Sequence, residues 1–277
     1  MNYAKLDAIL ATADALRARC DSMQARVDAT FNEAQHPRAA DGKFGSGGGK
    51  LDVSQMKQVG KKLGSNPGGV FEHPNGEKHY VKFSKSEDHA KNEHLASRLY
   101  DLAGSPALKV NLAGTGQGKT GTATKWQAVK PINPGNAAER KAAQENFATH
   151  AWLSNWDAAG LGYDNQGSID GKMHTLDVGG ALNYRAQGGP KGAAFGNSAG
   201  EWDTLRHPSN AQAHKLYGSM TAQDLKQSAQ KVLDIPDDRI RQEVLAHGPG
   251  GAAERAALAE KLIQRKADIR RRVGALA

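Results

Sequence analysis

A single cysteine, Cys20, in a chain of 277 residues rules out an internal disulfide. It fits a reducing compartment. No stretch approaches the roughly 20 apolar residues that a membrane-spanning helix requires, and the N-terminal region lacks the apolar core of a secretory signal. A cytoplasmic location is therefore expected. No Gly-x-Ser-x-Gly elbow occurs, and Cys20 is far from any candidate base, which argues against acyl transfer. The ten histidines form no metal constellation: His89 and His94, five apart on a predicted helix, do not share the face that joint ligation needs. The run from Gly114 to Thr120 imitates a phosphate loop, but the required spacing puts a glycine at position 113, where Ala113 stands.

What the chain does have is glycine, 32 residues of it, clustered in turns and in an N-terminal linker. Residues 64–69 read Gly-Ser-Asn-Pro-Gly-Gly and precede two strand-like runs joined by Asn75-Gly76, a strong hairpin signal. Backbone amides of Gly64, Ser65, Asn66, Gly68 and Gly69 would be able to approach phosphates closely. Lys82 lies between Val81 and Phe83, so strand alternation points its ammonium to the opposite face, toward phosphates or toward solvent. Residues 86–103 read as a helix ending before Gly104, and spacing places Glu93 on its apolar stripe with Ala90, Ala96 and Tyr100. A carboxylate there needs a partner, and Lys82 is the nearest in chain order.

Downstream, residues 155–182 place Asp157, Asn165 and Asp177 around one predicted hairpin. Hard oxygen ligands of this kind suit Mg²⁺, and a transferring phosphoryl group needs its charge neutralised by metal and fixed cations. Strands are also expected over residues 108–112 and 122–129, with the glycines 114–118 at their tip. Three helical stretches are expected at 222–233, 237–246 and 252–273. Ordinary core packing is expected of Trp126, Trp152 and Trp156.

The glycine-rich turn, the Val81-Lys82-Phe83 lysine, the Asn92-Glu93 helix and then Asp157, Asn165 and Asp177 in that order resemble the protein-kinase-like superfamily. The nearest branch is the atypical one that includes HipA-like toxin kinases, phosphatidylinositol kinases and actin-fragmin kinase. The pattern from Trp152 to Asp157, continued through Asp177-Val178-Gly179-Gly180 to Gly192, also resembles kinase-like domains of phage and mobile bacterial proteins. The resemblance spans residues 63–272. It implies an α+β bilobal fold: an N-lobe over residues 51–130 with a small antiparallel β-sheet and one helix, and a mostly helical C-lobe over 131–277. It implies ATP and Mg²⁺ as cofactors, with Lys82 on the phosphates, Glu93 orienting it and Asp157 as base. Asn165 and Asp177 would hold the metal, and Trp126 and Gln127 would lie at the adenine site between lobes. Arg185 and Lys191 fall where the activation segment would hold substrate. A bacterial protein hydroxyl, in a host cell cytoplasm, is the implied acceptor.

The sequence departs from the family in two ways. The His-Arg-Asp triplet is absent, and Asn165 follows Asp157 by eight residues, where the ordinary catalytic loop has five. Asp164 is thus a rival for base or ligand. Residues 1–35 read as an amphipathic helix, with Leu6, Ile9, Leu10, Ala13 and Leu16 on one stripe for the body, a second copy or a partner to cover, and residues 36–50 as a flexible linker. Two other readings stay open. One is a kinase-fold AMP transferase or a nucleotide-binding pseudokinase. The other is a non-catalytic, nucleic-acid-associated protein, suggested by a net charge of +8 and the Arg-rich end.

Overall fold

The computed structural model describes residues 50–64, 66–114 and 118–276. The expected helix of residues 1–35 and, Lys50 apart, the linker of 36–50 lie outside them, as do Ser65 and the tip at 115–117. A first layer is a six-stranded sheet of β1 (Leu51–Asp52), β2 (Lys57–Gly60), β3 (Gly68–Glu72), β4 (Lys78–Phe83), β5 (Val110–Gly114) and β6 (Thr120–Lys125), in the order β1-β5-β6-β4-β3-β2. All its pairs are antiparallel except β1 with β5.

The β3–β4 hairpin turns at Asn75-Gly76 as its dipeptide dictates. Gly76 has φ +86°, and the Asn75 side chain accepts the Glu77 amide at 2.9 Å. Gly68, opposite Lys82 in the register, has φ +151°, and a Cβ there would sit 2.0 Å from the Val81 carbonyl oxygen. Only glycine lets the two strands approach so closely.

One helix, α1 (Glu87–Leu102), separates β4 from β5. Ser86 caps it by accepting the His89 amide at 3.1 Å, acidic Glu87 and Asp88 sit in its first turn, and Gly104 follows its end at φ +60°. Its apolar face joins the larger of two cores. Leu95, Leu99 and Tyr100 pack in one cluster with Phe147, Trp152, Trp202 and Tyr217, whereas Val53, Met56, Val81, Ala113 and Ala123 make a small separate core in the sheet. Arg98 fixes the same helix through two bonds to Glu243, at 2.7 and 3.3 Å.

The second layer is helical: α2 (Ala137–Gln144), α3 (Phe147–Trp152), α4 (Glu201–Thr204), α5 (Ala211–Tyr217), α6 (Ala222–Leu233), α7 (Asp237–His247) and α8 (Ala252–Gly274). A small sheet, β7 (Lys130–Pro131), β8 (Gln166–Ile169) and β9 (Lys172–Thr175), is set into it. The last three helices fall within a residue of the stretches expected at 222–233, 237–246 and 252–273. Thr221 and Asp224 close a reciprocal cap at the start of α6. Trp152 is the one tryptophan of the expected core trio that is buried, donating to the Leu262 carbonyl at 2.9 Å, while Trp126 and Trp156 are exposed. Among the described residues, no helix is long and apolar enough to cross a membrane.

Candidate active site

Three segments, β4, α1 and the residues just after β9, deliver one ion triad. Val81 is fully buried in the sheet's small core, so alternation along β4 turns Tyr80 and Lys82 to the other face. There the Lys82 Nζ lies 2.5 Å from Glu93 Oε1 on α1 and 3.3 Å from each carboxylate oxygen of Asp177. Thr122 donates to Glu93 Oε2 at 3.4 Å, and the Gly179 amide donates to Asp177 Oδ1 at 2.7 Å. Burial acts to discharge Lys82, but the negative charges of Asp177 and then Glu93 override it and raise its pKa. Burial and the nearby Asp177 push the Glu93 carboxyl up against the pull of Lys82. The Asp177 carboxyl stays below its usual range because Lys82 and the Gly179 amide outweigh its desolvation. Asp177 is the accessible member, its side chain 47% exposed against 4% for Glu93.

The β8–β9 hairpin explains why Asn165 and Asp177 come together. They flank its open end, and the Leu176 amide bonds the Asn165 carbonyl at 2.9 Å. The turn itself, Asp170-Gly171, uses two left-handed residues. Asn165 reaches back to donate to the Asp157 backbone carbonyl at 2.6 Å, which bridges the long loop between them. Asp157 is half-buried. Burial lifts its carboxyl above the ordinary value, Asp177 and Asp164 adding to the lift and the Asn165 amide opposing it.

A cavity of about 510 Å³ opens beside the triad. Leu108, Val129, Leu176 and Trp126 give it apolar walls, and Lys82, Asp164, Asn165 and Asp177 give it a charged end. Gln127, Gly64 and Tyr80 also line it. A larger groove of about 670 Å³, between Val129 and Met173, holds none of the triad.

The glycine-rich expectation needs correction. Gly64 borders the cavity, but Gly68 and Gly69 are strand residues of β3, paired with Lys82 and Val81, and Asn66 does not line the cavity. Gly68 answers the close approach of β4, and Gly69 that of Gln58 and Gly60 on β2. Lys191 also departs from expectation. It is 4% exposed, and its ammonium points inward, donating to the Ser154 carbonyl, to Ser154 Oγ at 3.3 Å and to the Gly180 carbonyl at 2.7 Å. It cannot hold a substrate in this arrangement. Arg185 is exposed, its guanidinium 5.0 Å from the Trp156 ring.

Several supporting residues escaped sequence reasoning. Asn92 spans α1 and the loop after Asp177, donating to the Ala181 carbonyl and accepting the Asn183 amide, both at 3.0 Å. Leu182 next to it is left-handed at φ +57°, a strained state that such surroundings must hold in place. Buried Glu201 accepts from Ser154 Oγ, Trp156 Nε1 and Arg265, tying the segment before Asp157 to α8. Tyr80 had a usable signal in the two-residue period of β4, which puts it on the face of Lys82; Thr124, paired with it on β6, lines the same cavity.

No protein-family model matches the sequence, and no curated protein matches it. Solved structures do resemble it. The proinflammatory kinase CtkA of Helicobacter pylori superposes with a TM-score of 0.57 at 13% identity, over 83% of this chain and 100% of that one. An aminoglycoside phosphotransferase from Alicyclobacillus acidocaldarius (TM-score 0.36, 12% identity, 82% of this chain and 95% of that one) is a looser likeness. So is HipA of a Shewanella oneidensis toxin–antitoxin complex with HipB and operator DNA (0.37, 14%, 81% and 67%). Both are too loose to argue from. The superposition on CtkA shows that this chain has a protein-kinase-like fold.

Proposed function

We propose that the protein is an ATP- and Mg²⁺-dependent phosphotransferase acting on a protein hydroxyl. The observation that carries this reading is the Lys82–Glu93–Asp177 triad at the charged end of a cavity whose other walls are apolar. A flat base would fit between Leu108, Val129, Leu176 and Trp126, with its phosphates toward Lys82.

The donors present fit the metal. Asp177 and Asn165 offer hard oxygens, and a small ligand set leaves room for the waters that Mg²⁺ retains. Among the described residues no group of three His, Cys, Asp or Glu is placed to hold a metal. When bound, the ion would neutralise phosphate charge. Lys82 then supplies a fixed positive charge to the phosphates, and Glu93 holds it in place. The acceptor oxygen forms a bond to the γ-phosphorus as the bond to the ADP oxygen breaks, and the hydroxyl proton passes to Asp157. The raised pKa of Asp157 makes it a stronger base than an ordinary aspartate. Asp164, which also lines the cavity, would serve as a further oxygen ligand or as the alternative base.

The basic C-terminal helix gives little support to a nucleic-acid-binding reading. Arg265 is buried on Glu201, and Arg271 and Arg272 are bonded to Asp268. The deciding experiment is incubation with α- and γ-labelled ATP and mass spectrometry of the products. A gain of phosphate from the γ-label supports the proposal. A gain of AMP assigns nucleotidyl transfer, and binding without either product assigns a pseudokinase.

A further inference from the structure

Tyr80 stands two residues before Lys82 on the same face of β4, half-buried and lining the cavity. Its hydroxyl oxygen accepts two consecutive backbone amides, Leu63 N at 2.8 Å and Gly64 N at 3.2 Å. Neighbouring amides that converge on one point form an anion-friendly nest, and here a phenolic oxygen fills it. A phenolic hydroxyl can accept and can donate its single proton. The two amides occupy its accepting side, so the proton is what Tyr80 has left to offer. No acceptor for it occurs among the described residues, although the ring faces a cavity that already holds Lys82.

We propose that Tyr80 is a nucleotide-binding residue: its oxygen fastens the turn at Leu63-Gly64 against the sheet, and its O–H donates to an oxygen of the bound nucleotide. This rests on the reading of the cavity as a nucleotide site. The acceptor is a phosphate or a ribose oxygen, which offer the same chemistry to a phenol. The two roles reinforce each other, because an oxygen that accepts two amides is polarised into a better donor. The arrangement also explains why the start of the glycine turn, and not Gly68 or Gly69, borders the cavity. Those two glycines are held in β3, with the Phe83 amide bonding the Pro67 carbonyl at 2.8 Å just before them.

The test is Tyr80→Phe, which keeps the ring and removes one oxygen. Calorimetry with the magnesium complex of a non-hydrolysable ATP analogue should show Kd rising about 5- to 30-fold, as expected for one hydrogen bond to a charged or polar group. Hydrogen exchange in the nucleotide-free protein should speed up at the Leu63 and Gly64 amides. Adenosine and 2′-deoxy-ATP separate the sources. A loss that persists with adenosine assigns the ribose, and a loss confined to phosphorylated ligands assigns the phosphates. Unchanged or tighter binding by the variant, when the wild-type protein binds the analogue, overturns this inference alone. Failure of the wild-type protein to bind any nucleotide overturns the nucleotide reading of the cavity as well.

Discussion

The Lys191 ammonium lies 2.7 Å from the Gly180 carbonyl and also donates to Ser154, so one side chain bonds both the segment before Asp157 and the segment after Asp177. It is a positioning group. Each bond from a charged donor contributes about 1.5–3 kcal/mol, and Lys191→Met is expected to lower kcat roughly tenfold to a hundredfold with nucleotide Kd little changed. Burial, opposed by Glu201, brings its pKa down to about 7. The charged clamp is therefore present below that value and weakens as pH rises through it. Rate profiles should show an alkaline decline near pH 7 that is absent in Lys191→Met; the same decline in the variant would assign it elsewhere.

The two carboxylates on Lys82 are expected to separate stability from chemistry. Glu93 is buried, so Glu93→Ala removes a partner from a desolvated ion and should cost about 3 kcal/mol, the low end for broken buried pairs because Asp177 remains beside the ammonium. Asp177 is half-exposed and repels Glu93, so Asp177→Ala should change stability by less than about 1 kcal/mol. Transfer activity should be lost in both variants and in Lys82→Ala. Urea midpoints check the first half, and equal destabilisation by the two carboxylate variants would contradict it.

The parts of this site that the sequence discloses are those set by local chemistry. Asn75-Gly76 makes its turn, Ser86 caps α1, and Asn165 and Asp177 meet because a short hairpin lies between them. Glu93 was legible for a different reason: a carboxylate on an apolar stripe needs a cation. Gly68 and Gly69 misled because glycine in a strand and glycine around a phosphate look alike in sequence. Only the close approach of the neighbouring strands, Val81 to Gly68 and Gly60 to Gly69, tells them apart. Lys191 and Arg265 were illegible, since most of their acceptors are main-chain carbonyls of distant segments, which carry no residue signature.

Asp157 and Asp164 are separable by pH. The raised pKa of Asp157 comes first from burial, then from the charge of Asp177, with Asp164 adding to it. The base must be deprotonated, so kcat/KM should rise with pH through a midpoint above the usual aspartate range. Asp164→Asn removes a neighbouring negative charge and should move that midpoint to lower pH. Asp157→Asn should bind nucleotide normally and lose about 10²- to 10⁴-fold in rate. If Asp157→Asn keeps full activity and Asp164→Asn loses it, the base is Asp164.

His150 makes the fold acid-sensitive for a reason remote from catalysis. It is fully buried, with Nδ1 2.6 Å from the Tyr100 hydroxyl, and burial, with the charge of Lys231, pushes its pKa down to about 3 from an ordinary 6.5. Between those values the unfolded chain binds a proton that the native state refuses, so stability rises with pH there. The contribution is complete above pH 6.5 and is lost as pH falls toward 3. At pH 5 the loss is about 2 kcal/mol, from roughly 1.4 kcal/mol per unit. His247, brought down to about 4 by burial and Arg98, acts in the same direction. Thermal unfolding between pH 7 and 5 should show a falling Tm. His150→Gln, less stable at pH 7 through lost packing, should show a shallower fall. An unchanged slope in that variant would place the acid sensitivity in other groups.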